Sequence, residues 1–556
     1  MDTFKLIYTV VGGLGIFFYG MKSMSEALQS MSGDIIKNSI NTLTKNRFYS
    51  LIVGIVVTCL VQSSSVTTVM VVGFVNAGLM ELTQAIGVIF GANIGTTITG
   101  WIISIKVGKY GLLFIGLGIF PMLFAKKENA RQLGRVLFGI GMIFFGLKIM
   151  SGAFKPLRSM PEFLDAISYF SGQHYGSYFA SIVVGCILTM VVQSSSAMLG
   201  ITIALASSGA IQFHTAAALV LGENIGTTIT ALLASVGGNT NAKRAARAHS
   251  IFNILGVVVL FSFFPYYVSF IDSLVSGDPH MTNAAGEYPN IAVHIATGHT
   301  IFNVTVSLLF LPFLKTLAAF VIRITPEKVG AEQNHLVMLG EPKDMVPATG
   351  LALVQAEVTK MKDIVDRMYD LTREVFTGNN KQSQSQAIIK LHSYENATDN
   401  IQKEITVFIS KLMQMPMGDQ ESRQAISYVK IADELESIAD YIEKLALCSQ
   451  RPHQKVLSGD SFTDFKKYFD DVELYYKQMT DPINATEKQD LSVTFSKSEE
   501  LRTQAEYIRE RHLERVSKGN YDALSSLTYS DMIVALRKIR SHTQNISQAH
   551  HKCFPT

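Results

Sequence analysis

Two copies of one four-residue motif carry the side chains with the most evident chemistry. Gln62–Ser65 and Gln193–Ser196 both read Gln-Ser-Ser-Ser, 131 residues apart. Serine hydroxyls donate hydrogen bonds to anion oxygens and offer lone pairs to cations, while a helix N-terminus directs unpaired N–H groups at an anion. A site of this kind suits an oxyanion with Na⁺ beside it. One serine cluster often bonds only to its own or a neighbouring helix, but two copies in register favour a functional site.

A second duplicated motif has the same offset. Gly91–Thr99 and Gly222–Thr230 agree at eight of nine positions, and each contains Asn-Ile-Gly-Thr-Thr. The glycines let another helix approach closely, which explains them by packing alone. The asparagines and threonines need partners inside a membrane and are therefore candidate ligands. These candidates are Asn93, Thr96, Thr97, Asn224, Thr227 and Thr228.

One position differs in charge between the two copies. Glu223 stands where the first copy has Ala92. A carboxyl within a membrane segment is by default a cation or proton site. The alternative is an ion pair near the membrane surface with Lys243 or Arg244.

A third repeated pattern pairs a histidine with an asparagine. His249 and Asn253 recur as His299 and Asn303, in each case four residues apart and so on one helix face. These faces either complete a polar cavity or hold helices together.

The charge distribution places the motifs in a membrane. Residues 1–325 contain 19 Lys/Arg and 11 Asp/Glu, whereas residues 326–556 contain 29 and 34. Thirty charges in 325 residues cannot cover a soluble surface, and apolar runs of about 20 residues recur there. The sequence therefore excludes a soluble enzyme and predicts an all-α, polytopic domain in the lipid bilayer. The net charge of +3 gives no sign of nucleic-acid binding.

Each Gln-Ser-Ser-Ser motif interrupts an apolar stretch. Residues 49–61 and 66–79 flank the first motif, 178–192 and 197–210 flank the second, and each flank is expected to be too short to cross a core of about 30 Å. Four polar residues at mid-depth need an enclosed or watery environment. We therefore predict two re-entrant hairpins, which make the repeats inverted. The alternative is two long tilted helices in parallel repeats, and the charges of the loops do not separate these topologies.

The domain limits follow from composition. The membrane domain is predicted over residues 1–325, with repeat one at about 4–125, repeat two at about 132–271 and an extra helix at about 291–322. Residues 326–350 form a polar linker. Residues 351–550 show apolar residues at three- and four-residue spacing in six stretches, which predicts a soluble helical bundle. The loop charges place this bundle in the cytoplasm under either topology.

The two duplicated motifs resemble those of the type II sodium-dependent phosphate cotransporter family over about residues 1–325. The resemblance implies a Na⁺-coupled symporter of inorganic phosphate, not an enzyme, in which two inverted repeats each bring one hairpin to a central site. The phosphate ligands that it implies are Gln62, Ser63, Ser64, Ser65, Gln193, Ser194, Ser195 and Ser196, supported by Asn93 and Asn224. For Na⁺ we expect Ser65, Thr96, Thr97, Ser196, Thr227, Thr228 and Glu223. Glu223 departs from the small residue usual in the motif, so the ion stoichiometry stays open.

The bundle resembles the PhoU-like domain that bacterial members of this family often carry. Asp433, Glu436 and Asp440 share one helix face, similar to the acidic metal-binding motif of that fold, and Glu395 with Asp399 repeats the four-residue step. A divalent or transition metal is one interpretation, and solvated helix charges are the other. The resemblance further implies a bacterial inner-membrane location, a regulatory role for the bundle and a homodimer as a candidate assembly.

Three other functions remain open at this point. A membrane phosphate sensor would signal through the bundle without net transport, and a transporter of another small oxyanion would use the same site chemistry. An intramembrane hydrolase would need a serine with His249 or His299, but no orienting acid lies beside either histidine in the sequence.

Overall fold

The computed structural model describes residues 3–41, 46–105, 110–236, 238–284, 286–326, 345–378, 381–415, 417–451, 459–484 and 490–553. The chain divides into two compact units, with the division within residues 329–349. The described part of both units is helical and contains no strand, which confirms the all-α prediction.

The membrane unit contains sixteen α-helices in its described ranges. They are α1 (Thr3–Asn41), α2 (Arg47–Val61), α3 (Ser64–Asn76), α4 (Leu82–Gly95), α5 (Thr97–Ser104), α6 (Gly111–Phe124), α7 (Glu128–Phe154), α8 (Pro161–Ser168), α9 (Tyr175–Val192), α10 (Ser195–Ser208), α11 (Phe213–Gly226), α12 (Thr228–Ala234), α13 (Thr240–Ser262), α14 (Phe264–Leu274), α15 (Ile291–Phe310) and α16 (Leu314–Ile324).

Seven helical segments in the described ranges are long and apolar enough to cross a membrane. They begin at Phe4, Leu82, Glu128, Tyr175, Phe213, Thr240 and Ile291. One expectation about length was wrong. Helix α9 has 18 residues and reaches the length of a membrane span, because it starts three residues before the apolar run. Helix α6 has 14 residues and belongs to the shorter apolar helices.

The first helices of the two repeats pack against each other in antiparallel orientation. A Cβ added at Gly20 would lie 2.7 Å from the carbonyl oxygen of Gly139, and one at Gly146 would lie 2.7 Å from that of Gly13. Gly13 corresponds to Gly139 and Gly20 to Gly146 under the 126-residue offset of these helices. The same two positions therefore meet twice, with small residues letting the backbones of α1 and α7 touch.

Within each repeat, the helix before the serine motif packs tightly on the helix that carries Asn-Ile-Gly-Thr-Thr. A Cβ at Gly91 would lie 2.0 Å from the carbonyl oxygen of Leu51, and a Cβ at Gly222 would lie 2.0 Å from that of Ile182. Both contacts are related by the 131-residue offset. The small residues thus fix α2 on α4 and α9 on α11 with the same register, which brings the two motifs of each repeat side by side.

The second unit is a bundle of six long helices. They are α17 (Pro347–Thr377), α18 (Lys381–Leu412), α19 (Asp419–Leu447), α20 (Gly459–Thr480), α21 (Leu491–Ser517) and α22 (Ala523–Lys552). Their apolar faces enclose a core rich in tyrosine, including Tyr369, Tyr468 and Tyr529. The six stretches predicted from the spacing of apolar residues correspond to these six helices.

Candidate functional site

Both serine motifs lie at the same kind of helix break. Gln62 and Gln193 have φ angles of 58° and 55°, and they are the two non-glycine residues with positive φ in the described ranges. Each follows the last residue of a helix, and the next serine caps the following helix: Ser63 Oγ accepts from the Val66 N–H at 3.2 Å, and Ser194 Oγ from the Ala197 N–H at 3.3 Å. A left-handed backbone conformation costs energy at a residue other than glycine, and residues in this conformation cluster at functional sites.

The two breaks meet at one cavity of about 400 Å³. Gln62 and all six serines of the two motifs line it, so the structure brings together residues 131 positions apart. The N-termini of α3 and α10 begin at this cavity and leave unpaired N–H groups near it. The predicted residue Gln193 is exposed and does not line the cavity.

Helix α1 supplies a wall of this cavity that the sequence did not reveal. Phe18, Met21, Lys22 and Ser25 line it together with the serines. Ser25 Oγ also donates to the carbonyl oxygen of Val61 at 2.7 Å, directly before the first break. Lys22 is the one charged side chain on the cavity in the described ranges, and its Nζ lies 3.7 Å from a Glu26 carboxylate oxygen. Residues 18–22 resemble residues 144–148 at an offset of 126, but this similarity does not indicate a cavity.

The asparagines of the second motif make different contacts in the two repeats. Asn93 Nδ2 donates to Asn253 Oδ1 on α13 at 2.9 Å, whereas Asn224 Nδ2 donates to the carbonyl oxygen of Val220 on its own helix at 2.8 Å. Neither asparagine lines the cavity. Asn303, the counterpart of Asn253, is fully buried, and its Oδ1 has no hydrogen-bond partner.

The threonines of this motif divide into two pairs. Thr97 and Thr228 donate their hydroxyls to the carbonyl oxygens of Ile94 and Ile225, both at 2.8 Å. The Thr96 and Thr227 hydroxyls are buried and have no hydrogen-bond partner among the described residues. Buried polar atoms normally have partners, so a repeated pair of unsatisfied hydroxyls is an observation that a bound cation would explain.

Glu223 is buried inside the second repeat, with 2% of its surface exposed. One carboxylate oxygen accepts from Thr202 Oγ1 at 2.8 Å. The repeat-one counterparts of these two residues are Val71 and Ala92, so repeat two replaces an apolar pair by a hydrogen-bonded one. The alternative pairing with Lys243 or Arg244 is not among the contacts of Glu223.

The repeated histidines lie in the interior of the membrane unit. His249 is fully buried with both ring nitrogens unpartnered, and His299 Nδ1 is likewise unpartnered. Neither histidine lines the cavity of the serine motifs. A serine–histidine pair of a hydrolase is therefore not assembled there.

The bundle carries a group of carboxylates on α18 and α19. Burial and the neighbouring Glu443, Asp399 and Asp440 raise the pKa of Glu395, and burial together with Asp440, Asp399 and Asp433 raises that of Glu436. Asp433 accepts from Gln402, and Asp440 pairs with Lys444.

The ligand atoms that come closest together belong to a neighbouring set of residues. His392, Glu395 and Glu443 have potential ligand atoms within 4.8 Å of one another in the described part of the bundle. This group differs from the predicted Asp433, Glu436 and Asp440, which remain a prediction.

Comparisons with known proteins agree with both halves of this description. The family profile described as Na⁺/Pi-cotransporter matches residues 16–152 and 165–272, and the PhoU domain profile matches residues 358–448. The chain is 32% identical over 319 residues to "Uncharacterized protein YqeW" of Bacillus subtilis (strain 168), covering 56% of this chain and 96% of that protein.

Two named transport proteins are also similar. "Putative inorganic phosphate export protein YjbB" of Salmonella typhimurium is 24% identical over 442 residues, which are 78% of this chain and 76% of that protein. "Sodium-dependent phosphate transport protein 2A" of Rattus norvegicus is 40% identical over 100 residues, or 17% of this chain and 15% of that protein. No solved structure matches the chain.

Proposed function

Because this chain belongs to the Na⁺/Pi-cotransporter family, we propose that it moves inorganic phosphate across the bacterial inner membrane together with Na⁺ through the cavity between the two serine motifs. The observation that carries the proposal is the convergence of two left-handed helix breaks on one cavity lined by six serines. Hydroxyls and helix N-termini are the groups that hold a tetrahedral oxyanion without burying a full countercharge.

Phosphate recognition is assigned to the serines and Lys22. Each serine hydroxyl donates one hydrogen bond to a phosphate oxygen, and Gln62 is held at the cavity edge by its bonds to Cys59 and Thr99. Lys22 adds a positive charge, which draws the anion into the cavity. Asn93 and Asn224 are buried and act behind this surface, whereas Gln193 is exposed and does not line the cavity in this state.

Sodium binding is assigned to the unsatisfied threonines and Glu223. Thr96 and Thr227 offer buried hydroxyl oxygens at equivalent positions in the repeats, and hard cations prefer such oxygens. Thr97 and Thr228 follow these threonines in sequence, and Ser65 and Ser196 on the cavity complete the predicted set. Glu223 adds a carboxyl to one repeat only, which makes the two sodium sites unequal.

The test is sodium-gradient-driven uptake of labelled phosphate into liposomes containing the purified protein. Ser64→Ala and Ser195→Ala should each weaken uptake at least several-fold, because a lost hydrogen bond to a charged group is worth about 1.5 to 3 kcal/mol. Phosphate flux that follows the imposed Na⁺ gradient supports symport. Efflux from loaded liposomes without Na⁺ would match the name of YjbB and overturn the coupling. Binding without flux would favour the sensor.

For the bundle we propose cytoplasmic regulation of this transport. None of the proposed ligands lies in residues 346–556, so a chain lacking them should still bind phosphate while its transport rate changes. Loss of phosphate binding in a well-folded truncation would show that the proposed location of the site in the membrane half is wrong. The homodimer remains a prediction, which light scattering of the purified protein would test.

Metal binding by the bundle is a separate proposal. Burial and the neighbouring carboxylates raise the pKa of Glu395 and of Glu436, and a divalent cation would relieve the repulsion between these charges. Manganese titration of the full chain should show one saturable event that Glu436→Gln weakens. Unchanged binding in Glu436→Gln would leave solvated helix charges as the explanation.

A further inference from the structure

Three sets of identical residues form different hydrogen bonds around the two helix breaks. The first set is the motif glutamine with the last threonine of Asn-Ile-Gly-Thr-Thr-Ile-Thr. In repeat one, Thr99 Oγ1 donates to Gln62 Oε1 at 3.1 Å, and both side chains are buried. In repeat two, Thr230 Oγ1 donates instead to the carbonyl oxygen of Thr227 at 2.8 Å, and Gln193 is exposed with no side-chain hydrogen bond among the described residues.

The second set is the asparagine pair. Asn253 Oδ1 accepts from Asn93, which joins α13 to α4. Asn303 is the matching asparagine of the second His-Asn pair, on α15; its Oδ1 is buried without a partner, and Asn224 donates to its own helix. A buried acceptor without a partner is uncommon and calls for an explanation.

The third set involves the wall helices. Ser25 on α1 donates to the carbonyl oxygen of Val61 just before the first break. The corresponding residue of α7 is Ser151, which makes no side-chain hydrogen bond among the described residues. All three differences have the same sense: the break of repeat one is bonded to its surroundings, and that of repeat two is not.

The residues that bond are the same around both breaks, so their own types do not account for this pattern. Either repeat therefore has the groups needed for the bonded and the released arrangement. Proteins built from repeats can populate states in which the repeats exchange conformations, and each state is stabilised by the contacts that it alone makes.

We propose that Thr99 and Asn253 are positioning residues that hold the repeat-one break closed, and that Thr230 and Asn303 do the same for repeat two in the opposite state. Each cycle then releases Gln62 as it captures Gln193, with Asn303 Oδ1 as the acceptor reserved for Asn224. The inference rests on the proposed transport function, and it names the contacts that alternate.

The chain provides a matched pair of reporters. Val61 and Val192 precede the two breaks at equivalent positions, and they are 0% and 37% exposed. A single cysteine at either site, in full-length protein lacking Cys59, Cys186 and the two bundle cysteines, reports opening of its own repeat. The assay measures the rate of modification by N-ethylmaleimide in liposomes without phosphate.

In the single-cysteine proteins without further substitutions, Val192→Cys should be labelled quickly and Val61→Cys slowly. Thr99→Val removes one hydrogen bond from the described state, which changes an equilibrium by about two- to tenfold. The Val61→Cys rate should therefore rise and the Val192→Cys rate should fall by comparable factors. Thr230→Val should slow Val61→Cys further, and the Thr→Ser variants should restore the background rates.

Opposed changes are what separates exchange from a structural defect. If Thr99→Val accelerates both reporters, the contact merely stabilises the fold, and if it changes neither, the contact is irrelevant; both results overturn the proposal. Should Thr99→Val fail to fold, Asn253→Ala and Asn303→Ala test the same exchange through the second contact. The labelling assay needs no transport, so failure of phosphate uptake would reject the proposed function while the reporters still decide the exchange.

Discussion

The pair formed by Thr202 and Glu223 provides the sharpest test of the sodium assignment. Thr202→Val removes the hydroxyl that donates to the carboxyl at 2.8 Å, in a place where both side chains are at most 2% exposed. Glu223→Ala removes the carboxyl. The double variant reproduces the Val71 and Ala92 pair of repeat one, so the chain itself supplies the control.

The expected loss of stability in Thr202→Val follows from two ranges of hydrogen-bond free energy. Hydrogen bonds to charged groups are worth about 1.5 to 3 kcal/mol in soluble proteins, whereas hydrogen bonds between membrane helices average about 0.6 and reach about 1.7 kcal/mol. Burial of Glu223 favours the upper part of the second range, so we expect Thr202→Val to cost about 1 to 2 kcal/mol. The double variant should recover most of this loss, because no carboxyl is then left without its donor.

Two measurements compare these variants with the unmodified protein. Thermal unfolding of the purified protein should rank the double variant and Thr202→Ser above Thr202→Val. Uptake at varied Na⁺ should show that Glu223→Ala changes the Hill slope or the reversal potential more than the phosphate KM. The reasoning is refuted if Thr202→Val melts like the unmodified protein and Glu223→Ala keeps its Hill slope and reversal potential.

Three further predictions concern charge, topology and the bundle. Lys22→Gln should raise the phosphate KM about threefold or more without lowering the maximal rate, because an exposed charge acts mainly on encounter, and an unchanged KM at low salt would contradict this. Cysteines at Glu81 and Gln212, which are exposed and equivalent in the two repeats, should label with an impermeant thiol reagent from opposite membrane faces; labelling from one face would establish parallel repeats. Burial raises the pKa of Glu357, so ionisation of this carboxyl destabilises the folded bundle as pH rises above about 4.5. Glu357→Gln should therefore stabilise the bundle at pH 7 by about 1 kcal/mol. Calorimetry that shows no gain in stability would contradict this prediction.

The sequence contained enough to predict the helices and the motifs that meet. Six bundle helices followed from apolar spacing, since each must bury one face, and the pairing of the serine motifs followed from their shared offset. The length of α9 was misjudged because Tyr175 and Ser177 lie in the helix although they do not belong to the apolar run. Periodicity does not report where a polar first turn begins.

Other features had no signal in a single sequence. The contribution of Lys22 and Ser25 to the cavity depends on a contact between helices that no local pattern encodes. The different states of Gln62 and Gln193 could not be predicted at all, because both residues stand in the same motif. Local sequence determines what a residue is able to bond, and the surrounding packing determines which bond it makes.

The antiparallel contact between α1 and α7 has a consequence for the covalent link between the two repeats. Gly13 meets Gly146 and Gly20 meets Gly139, so one surface contacts its own copy about a two-fold axis. Such a surface is self-complementary and does not require a single polypeptide. Two separate half-length chains inserted in opposite orientations would form the same seam as a dimer, and in one chain each copy is free to carry different residues, as Val71 with Ala92 and Thr202 with Glu223 do.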